Sequence, residues 1–383
     1  MTRQEVIMKA VEGRITWIQA ADILHLTARH LRRLRERFES LGSRGLLDGR
    51  AGSEKTTRIP EEVLREVCRL KRLVYPDFSV RHFHEQLTGK HGMTLSYTWT
   101  KEVLQSAGIV PKERGRGRYR RRRERRAMVG MLLHLDASTH PWLPGLPSQD
   151  LVVMLDDADG RILFARFFEQ EGTRSTLVAL KHVLLRWGRF CELYTDRGSH
   201  FCHTTRSEAG PDAVQQGQVT RALRSLGIRH ILARSPEARG RSERAFGTIQ
   251  GRLPQELRVA GVQGYAAAND YLEATFVPDF NRRFTVKPKE AESAFTSLAG
   301  FDAELVLSVH HERVVRNDHT VTLAQLVFQL PPSKDRVSFA RCPVTIHEFL
   351  DGTWGVSFQG KVLARYDQDG QLQPKARRPE KAA

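Results

Sequence analysis

Apolar residues recur at helical spacing through the first fifty positions, with Ile7, Val11, Ile15 and Ile18 on one stripe that Gly13 interrupts. Thr16 and Thr27 stand where N-caps are wanted. The pattern therefore predicts a helix before Gly13, a second carrying Ile18, Ala21 and Ile23, and a third after a short turn at His25 and Leu26. Arg29, His30, Arg32, Arg33 and Arg35 stud the third helix. Two tightly joined helices with a basic second member fit a helix-turn-helix whose second helix enters a DNA major groove. They also fit an ordinary basic helical hairpin.

A polar stretch, Gly45–Arg58, reads as a linker, and a second helical block begins at Pro60, which suits a first helical turn. Ser79 and Ser96 are expected caps for its later helices. Tyr97, Thr98, Trp99 and Lys101 would then lie on an exposed reading helix, although Tyr97 and Trp99 suit a core equally well. Residues 112–126 (KERGRGRYRRRRERR) hold nine arginines, two glycines and one tyrosine. So one-sided a run opposes a salt-bridged helix and favours a flexible arm lying along phosphates, with Arg116, Arg118, Arg120, Arg121, Arg122 and Arg123 as contacts.

The periodicity changes after Met128. GMLLHLDAS is a continuous apolar run ending in an acid, and QDLVVMLDDADGRILFARFFEQ reads as two strands around an Asp-Ala-Asp-Gly turn. A helix over 173–187, a strand over 191–195, a helix over 213–226, a strand over 229–232 and a helix from Pro236 follow. That succession is a mixed α/β layout with helices covering a central sheet. From about Leu305, five short strands with tight turns predict a small β-barrel. The expected division is 1–53 and 54–111 as helical DNA-binding domains and 112–127 as an arginine-rich linker. It continues with 128–298 as the α/β core, 299–370 as the barrel and 371–383 as a disordered basic tail.

Composition sharpens this picture. Lysine and arginine number 61 against 44 acidic residues, a net charge of +17, which favours a polyanionic partner. With 40% hydrophobic and 27% charged residues the chain can bury a sizeable core. No apolar run approaches the roughly 18–20 residues of a membrane helix, and no signal-peptide pattern is seen, so a cytoplasmic protein without membrane contact is expected. Four scattered cysteines without a CxxC pair agree with a reducing compartment.

Three acids stand where such a sheet would expose them. Asp136 ends the first apolar strand, Asp196 ends the strand CELYT, and Glu243 lies on a late helix. The carboxyl ends of strands in open α/β sheets are where sites form. Three converging carboxylates repel unless divalent cations intervene, and hard oxygen donors suit Mg²⁺ or Mn²⁺. Two such ions can serve an in-line phosphoryl displacement.

The segments HLDASTHPWL, LYTDRGSHF and ARSPEARGRSERAFGTIQGRL resemble, in this order, the signature blocks of the DDE transposase and retroviral-integrase superfamily. The nearest likeness is to bacterial insertion-sequence transposases with an integrase-type core and N-terminal helix-turn-helix domains. The resemblance spans the helical modules, the core and the terminal barrel. It implies an RNase H-like core in which Asp136, Asp196 and Glu243 are catalytic and hold two Mg²⁺ ions. It further implies 3′-end cleavage followed by strand transfer, terminal inverted repeats and target DNA as double-stranded partners, and no nucleotide cofactor. Joining two ends to one target needs at least two active sites, so a homo-oligomer on DNA in the bacterial nucleoid is expected. The family spaces its last two acids by about 35 residues, whereas 46 separate Asp196 from Glu243 here, an excess that a polar loop insertion absorbs. Ser199 and His200 also depart from the usual residues after TDxG.

Rival readings attach to several residues. Asp156, Asp157 and Asp159 suit a tight turn better than metal ligation. Glu237 competes with Glu243, but suits a helix start. His200, Cys202 and His203 lack a fourth zinc ligand at a usual spacing. Arg234, Arg239, Arg241 and Arg244 flank the third acid, and Arg239 and Arg241 are candidate DNA-backbone contacts. Trp142 suits a core or turn, with base stacking as the alternative. For the whole chain, the alternatives are a DNA-binding regulator with an inactive core and an RNase H-like nuclease without strand transfer.

Overall fold

The computed structural model describes residues 3–46, 59–112, 124–198, 201–204, 214–233, 240–334 and 336–374. The chain forms two compact units, residues 1–67 and 68–383. In the first unit, α1 (Arg3–Val11), α2 (Trp17–Leu24) and α3 (Ala28–Leu41) bury Val6, Ile7, Ala20, Leu31 and Leu34 together. The caps explain the boundaries. Thr16 accepts the Gln19 amide while Gln19 returns a bond to the Thr16 amide, and His25 ends α2 in the left-handed region. Thr27 accepts the His30 amide and opens α3.

Helix α4 (Glu61–Leu73) runs across the division between the units. In the second unit it is followed by α5 (Val80–Gly89) and α6 (Tyr97–Ser106), opened by Ser79 and Ser96 as expected. Strands β1 (Leu132–His140), β2 (Gln149–Asp156) and β3 (Ile162–Phe168) form an antiparallel meander. The core continues with α7 (Thr173–Trp187), β4 (Glu192–Thr195), the short hairpin β5 (Cys202–Thr204) and β6 (Val214–Gln216), α8 (Gln218–Ser225) and β7 (Arg229–Leu232). The helix expected over 213–226 thus starts only at Gln218, because the residues before Gly217 pair as a strand. Helices α9 (Gly240–Gln250), α10 (Leu253–Val259), α11 (Tyr265–Tyr271) and α12 (Val277–Phe284) follow, with a π-helical turn between the last two.

The five-stranded sheet has the order β3-β2-β1-β4-β7, antiparallel on one side of β1 and parallel on the other. Strand alternation sorts its residues between two cores. Leu133, Leu135, Val152, Met154 and Leu193 face α7 and α8, whereas Leu151, Val153 and Leu155 face α9 to α12. The edge strand β3 is sealed by side-chain amides: Asn281 brackets the Ile162 main chain and Asn269 brackets that of Phe167. Such pairing occupies backbone groups that an open edge would offer to another chain.

Helix α5 and the turn before it are tied to the core by polar side-chain pairs. Glu85 pairs with Arg252 at 2.7 and 3.2 Å and also with Arg283, His82 meets Glu256 at 2.9 Å, and Asp77 meets Arg258 at 2.6 Å. Burial works against the Glu85 charge, but Arg252 and Arg283 outweigh it and hold its carboxyl below the usual value. Its stabilisation is therefore present above the ordinary carboxylate range and lost as pH falls through the lowered value. Replacing Glu85 by alanine is expected to cost roughly 2–3 kcal/mol, less than a fully buried pair because Glu85 keeps some solvent contact. The urea midpoint of the purified chain checks this, and an unchanged midpoint would show the pair contributes nothing.

The C-terminal region differs from the barrel expected for it. After α13 (Ala303–Val306) come β8 (Val309–Val314), β9 (Thr320–Leu323), β10 (Leu326–Gln329), β11 (Pro343–Glu348), β12 (Trp354–Phe358) and β13 (Lys361–Tyr366). They form a four-stranded sheet, β13-β12-β11-β8, and a separate hairpin, β9-β10, packed around Phe328, Ile346, Val356 and Tyr366. No closed barrel exists among the described residues. The segment HTVTLAQLVFQL, read as one strand, folds back on itself because Ala324 adopts the left-handed region, and its hairpin bonds in register only to itself. The α8 residues Gln218 and Arg221 clamp the region to the core through main-chain atoms of His310, Val306 and Ser308.

Candidate active site

Asp136, expected to end its strand, lies at the middle of β1, because pairing with β2 carries the strand on to His140, whereas β4 delivers Asp196 one residue beyond its last. The two strands are parallel, with Leu132 opposite Glu192 and His134 opposite Tyr194. Continuing that register by two residues brings Asp136 level with Asp196 on neighbouring strands, which run about 4.8 Å apart in a sheet. Both acids fall on the face opposite Leu135 and Leu193, the face on which α9 packs through Phe246 and Ile249. Each carboxylate also accepts a nearby backbone amide. Asp136 accepts the Ala137 amide at 2.9 Å, and Asp196 accepts the Gly198 amide at 2.9 Å.

Helix α9 is fastened to this face at both ends. In its first turn Arg241 contacts both the carboxylate and the main-chain oxygen of Asp157, the latter at 3.0 Å. That same carboxylate bonds His134 Nε2 at 2.7 Å. At the other end, Gln250 donates to Ser138 Oγ at 2.8 Å. His134 and Ser138 bracket Asp136 along the strand, so α9 runs beside it with Glu243 in the first turn, exposed to solvent. Among the described residues, no three His, Cys, Asp or Glu side chains are gathered closely enough to hold a metal ion. Asp136 and Asp196 share one face of the sheet, and Glu243 lies on the helix that packs against that face. Three carboxylates brought together without compensating charge repel one another.

Behind Asp196, Thr195 is pinned by His230 at 2.9 Å, whose other ring nitrogen meets Thr220 at 3.0 Å. Burial lowers the His230 pKa to about 4, which keeps the ring neutral at physiological pH.

The DDADGR segment forms the β2–β3 turn, and all three of its acids are buried. Burial raises the Asp156 pKa to about 6, against bonds from the Gly130 and Ala158 amides. Gly130 has φ +80°, and a Cβ there would meet Phe295 at 2.8 Å, so only glycine suits this approach. Burial opposes charge at Asp157 as well, but His134, the Arg126 amide and Arg241 hold its carboxyl far below the usual range. Asp159 accepts the Arg161 amide.

Comparison with known proteins now bears on the site. The chain is 29% identical over 367 residues to a putative transposase, y4bF, of Sinorhizobium fredii, covering 95% of this chain and 79% of that one. It is 26% identical over 357 residues to the transposase for insertion sequence IS1202 of Streptococcus pneumoniae, covering 84% of this chain and 76% of the relative. The chain is a relative of bacterial transposases. No family model matches it. Solved structures that align with it include the dimeric form of the HTLV-2 integrase catalytic core domain in complex with magnesium, at 17% identity and TM-score 0.31 over 43% of this chain. A simian T-cell lymphotropic virus intasome aligns at 14% identity and TM-score 0.35 over 80%.

In this transposase relative, Arg29, His30, Arg32 and Arg33 lie on the solvent side of α3, opposite Leu31 and Leu34. On α6, Thr98 and Lys101 are exposed, whereas Tyr97 is half-buried against His84 and Arg81. Arg241, expected at a DNA backbone, has its guanidinium turned to Asp157. Arg116, Arg118, Arg120, Arg121, Arg122, Arg123 and Arg239 lie outside the described residues, as do Arg234, Glu237, Ser199 and His200. Cys202 and His203 fall on β5. No described helix is long and apolar enough to cross a membrane.

Sequence reasoning missed His134, Asp157 and Gln250 as supports of the site. A signal existed for two of them. His134 precedes Asp136 by two residues and so shares its strand face, and a tight turn does not need two consecutive acids.

Proposed function

We propose that the chain is a DNA transposase that binds the ends of a mobile element, cleaves their 3′ strands and joins them to target DNA. The observation that carries the reading is the parallel pairing of β1 with β4, whose register, continued two residues past His134 and Tyr194, sets Asp136 level with Asp196, beside the helix bearing Glu243. Kinship to transposases supports it across most of the chain. The donor set is all carboxylate oxygen, which fits Mg²⁺ or Mn²⁺. A pair of such ions held by Asp136, Asp196 and Glu243 would lower the pKa of an attacking oxygen and stabilise the departing one.

The chain's own residues have distinct tasks in this scheme. Strand β1 and the end of β4 would orient Asp136 and Asp196, and α9 would hold Glu243 alongside. In the first reaction a water oxygen bonds to phosphorus and gives up a proton, the bond from phosphorus to the element's 3′ oxygen breaks, and that oxygen takes up a proton to become a free 3′-hydroxyl. In the second, the freed 3′-hydroxyl loses its proton and bonds to a target phosphorus, and the target strand's own 3′ oxygen departs and takes up a proton. Positioning supplies most of the rate in such displacements. Arg29, His30, Arg32 and Arg33 on α3, with Thr98 and Lys101 on α6, would contact the inverted repeats as helix-turn-helix readers. The arginine-rich segment, including Arg116, Arg118 and Arg120 to Arg123, would track backbone, and Arg239 would add a contact beside the third acid. Two active sites on one target require a homo-oligomer on DNA.

The test uses labelled duplexes taken from the DNA flanking the coding region, incubated with the purified chain. Mg²⁺ or Mn²⁺ should produce cleaved and joined strands, and EDTA should suppress both. Equal product in EDTA would end the proposal. Binding without any cleavage would favour the DNA-binding regulator, and cleavage without joining would favour the nuclease.

A further inference from the structure

Asp157 occupies a junction that neither the triad nor turn formation accounts for. It is fully buried in the β2–β3 turn, yet its side chain serves three separate elements. His134 of β1 bonds it at 2.7 Å, the Arg126 amide donates to it at 2.8 Å, and Arg241 of α9 pairs with it and with its main-chain oxygen. Arg125 adds a bond to the same main-chain oxygen at 3.2 Å. A tight turn needs none of these. Two of the partners stand two residues before a carboxylate of the candidate site: His134 before Asp136, and Arg241 before Glu243.

We propose that Asp157 is a positioning residue, clamping His134 and Arg241 so that Asp136 and Glu243 are presented to one divalent cation. The inference rests on the transposase reading and deepens it. Glu243 starts from an exposed position in the first turn of α9, and that helix is held to the sheet at this end by Arg241. Releasing the clamp frees the helix start to move away from β1, while the Phe246 and Ile249 contacts keep the rest of α9 packed. Arg125 and Arg126, the last arginines of the basic run, bond the same turn and so brace the clamp from a third side. Outer supports of this kind govern ligand orientation, and their loss commonly lowers metal affinity roughly 10–100-fold.

The experiment measures Mn²⁺ binding to the full chain without DNA, by the paramagnetic resonance signal of free Mn²⁺. Arg241→Gln is the principal variant, since Asp157→Asn risks unfolding the turn, and His134→Gln is the second. The expected result is Mn²⁺ affinity lowered roughly 10–100-fold in both, with thermal midpoints close to the parent's and partial recovery in Arg241→Lys. Unchanged Mn²⁺ affinity in Arg241→Gln and His134→Gln, alongside lost binding in Asp196→Ala, would overturn the clamp and leave the triad standing. Parent binding that is indifferent to Asp136→Ala, Asp196→Ala and Glu243→Gln would instead remove the triad reading, and the clamp with it.

Discussion

Glu243→Gln is expected to abolish cleavage and joining of element ends, by about 10³-fold or more, or at least 4 kcal/mol of transition-state stabilisation. The replacement keeps the side chain's size and removes only its charge. Glu243 is exposed on the first turn of α9, so the helix and its packing through Phe246 and Ile249 should persist. Binding to end DNA, read by electrophoretic mobility shift, should therefore stay close to the parent's, because the basic helices that would contact it are separate elements. Cleavage at the parental rate would show that the third carboxylate lies elsewhere. Joint loss of binding, cleavage and thermal midpoint would make Glu243 a structural residue.

Truncating Trp142 should produce the largest loss of stability. The side chain is fully buried, donates from Nε1 to the Gln149 carbonyl at 3.1 Å, and meets Phe167 edge-on at 5.6 Å and His140 at 4.9 Å. It closes the core on the α9 side of the sheet, beside Leu151 and Val153. Trp142→Ala removes a large buried ring and strands a carbonyl, and should cost about 3–5 kcal/mol. At roughly 2–4 °C per kcal/mol for a unit of this size, calorimetry would register the change easily. Trp142→Phe should recover part of it. Weakened DNA binding at unchanged stability would instead identify Trp142 as a base-stacking residue.

How much of this was legible before the fold depended on the range of the interactions. Thr16, Thr27, Ser79 and Ser96 were readable as caps because each bonds an amide three residues on. The strand of β1 was readable from its continuous apolar run, and the β2–β3 hairpin from its Asp-Ala-Asp-Gly turn. The helix expected over 213–226 was cut short because pairing with β5 outweighed local propensity before Gly217. The barrel failed for a related reason. Five strands were visible, but a single left-handed residue at Ala324 divides one of them, and pairing partners are not written in the alternation. At the candidate site the three acids stood out only through their signature blocks. Asp157 was taken for a turn residue, since its partners lie 23, 31 and 84 residues away.

The sequence by itself determined where helices begin, which strand positions are apolar, the strong positive charge and the identity of three candidate acids. All of these depend on residue chemistry or on neighbours within a turn. Only the tertiary structure decided that β4 lies parallel to β1, that α9 is pinned along the face carrying Asp136, and that the terminal strands form two sheets. Those outcomes are set by hydrogen-bond register and by which apolar faces bury each other, and both are contacts between residues that the linear order keeps far apart.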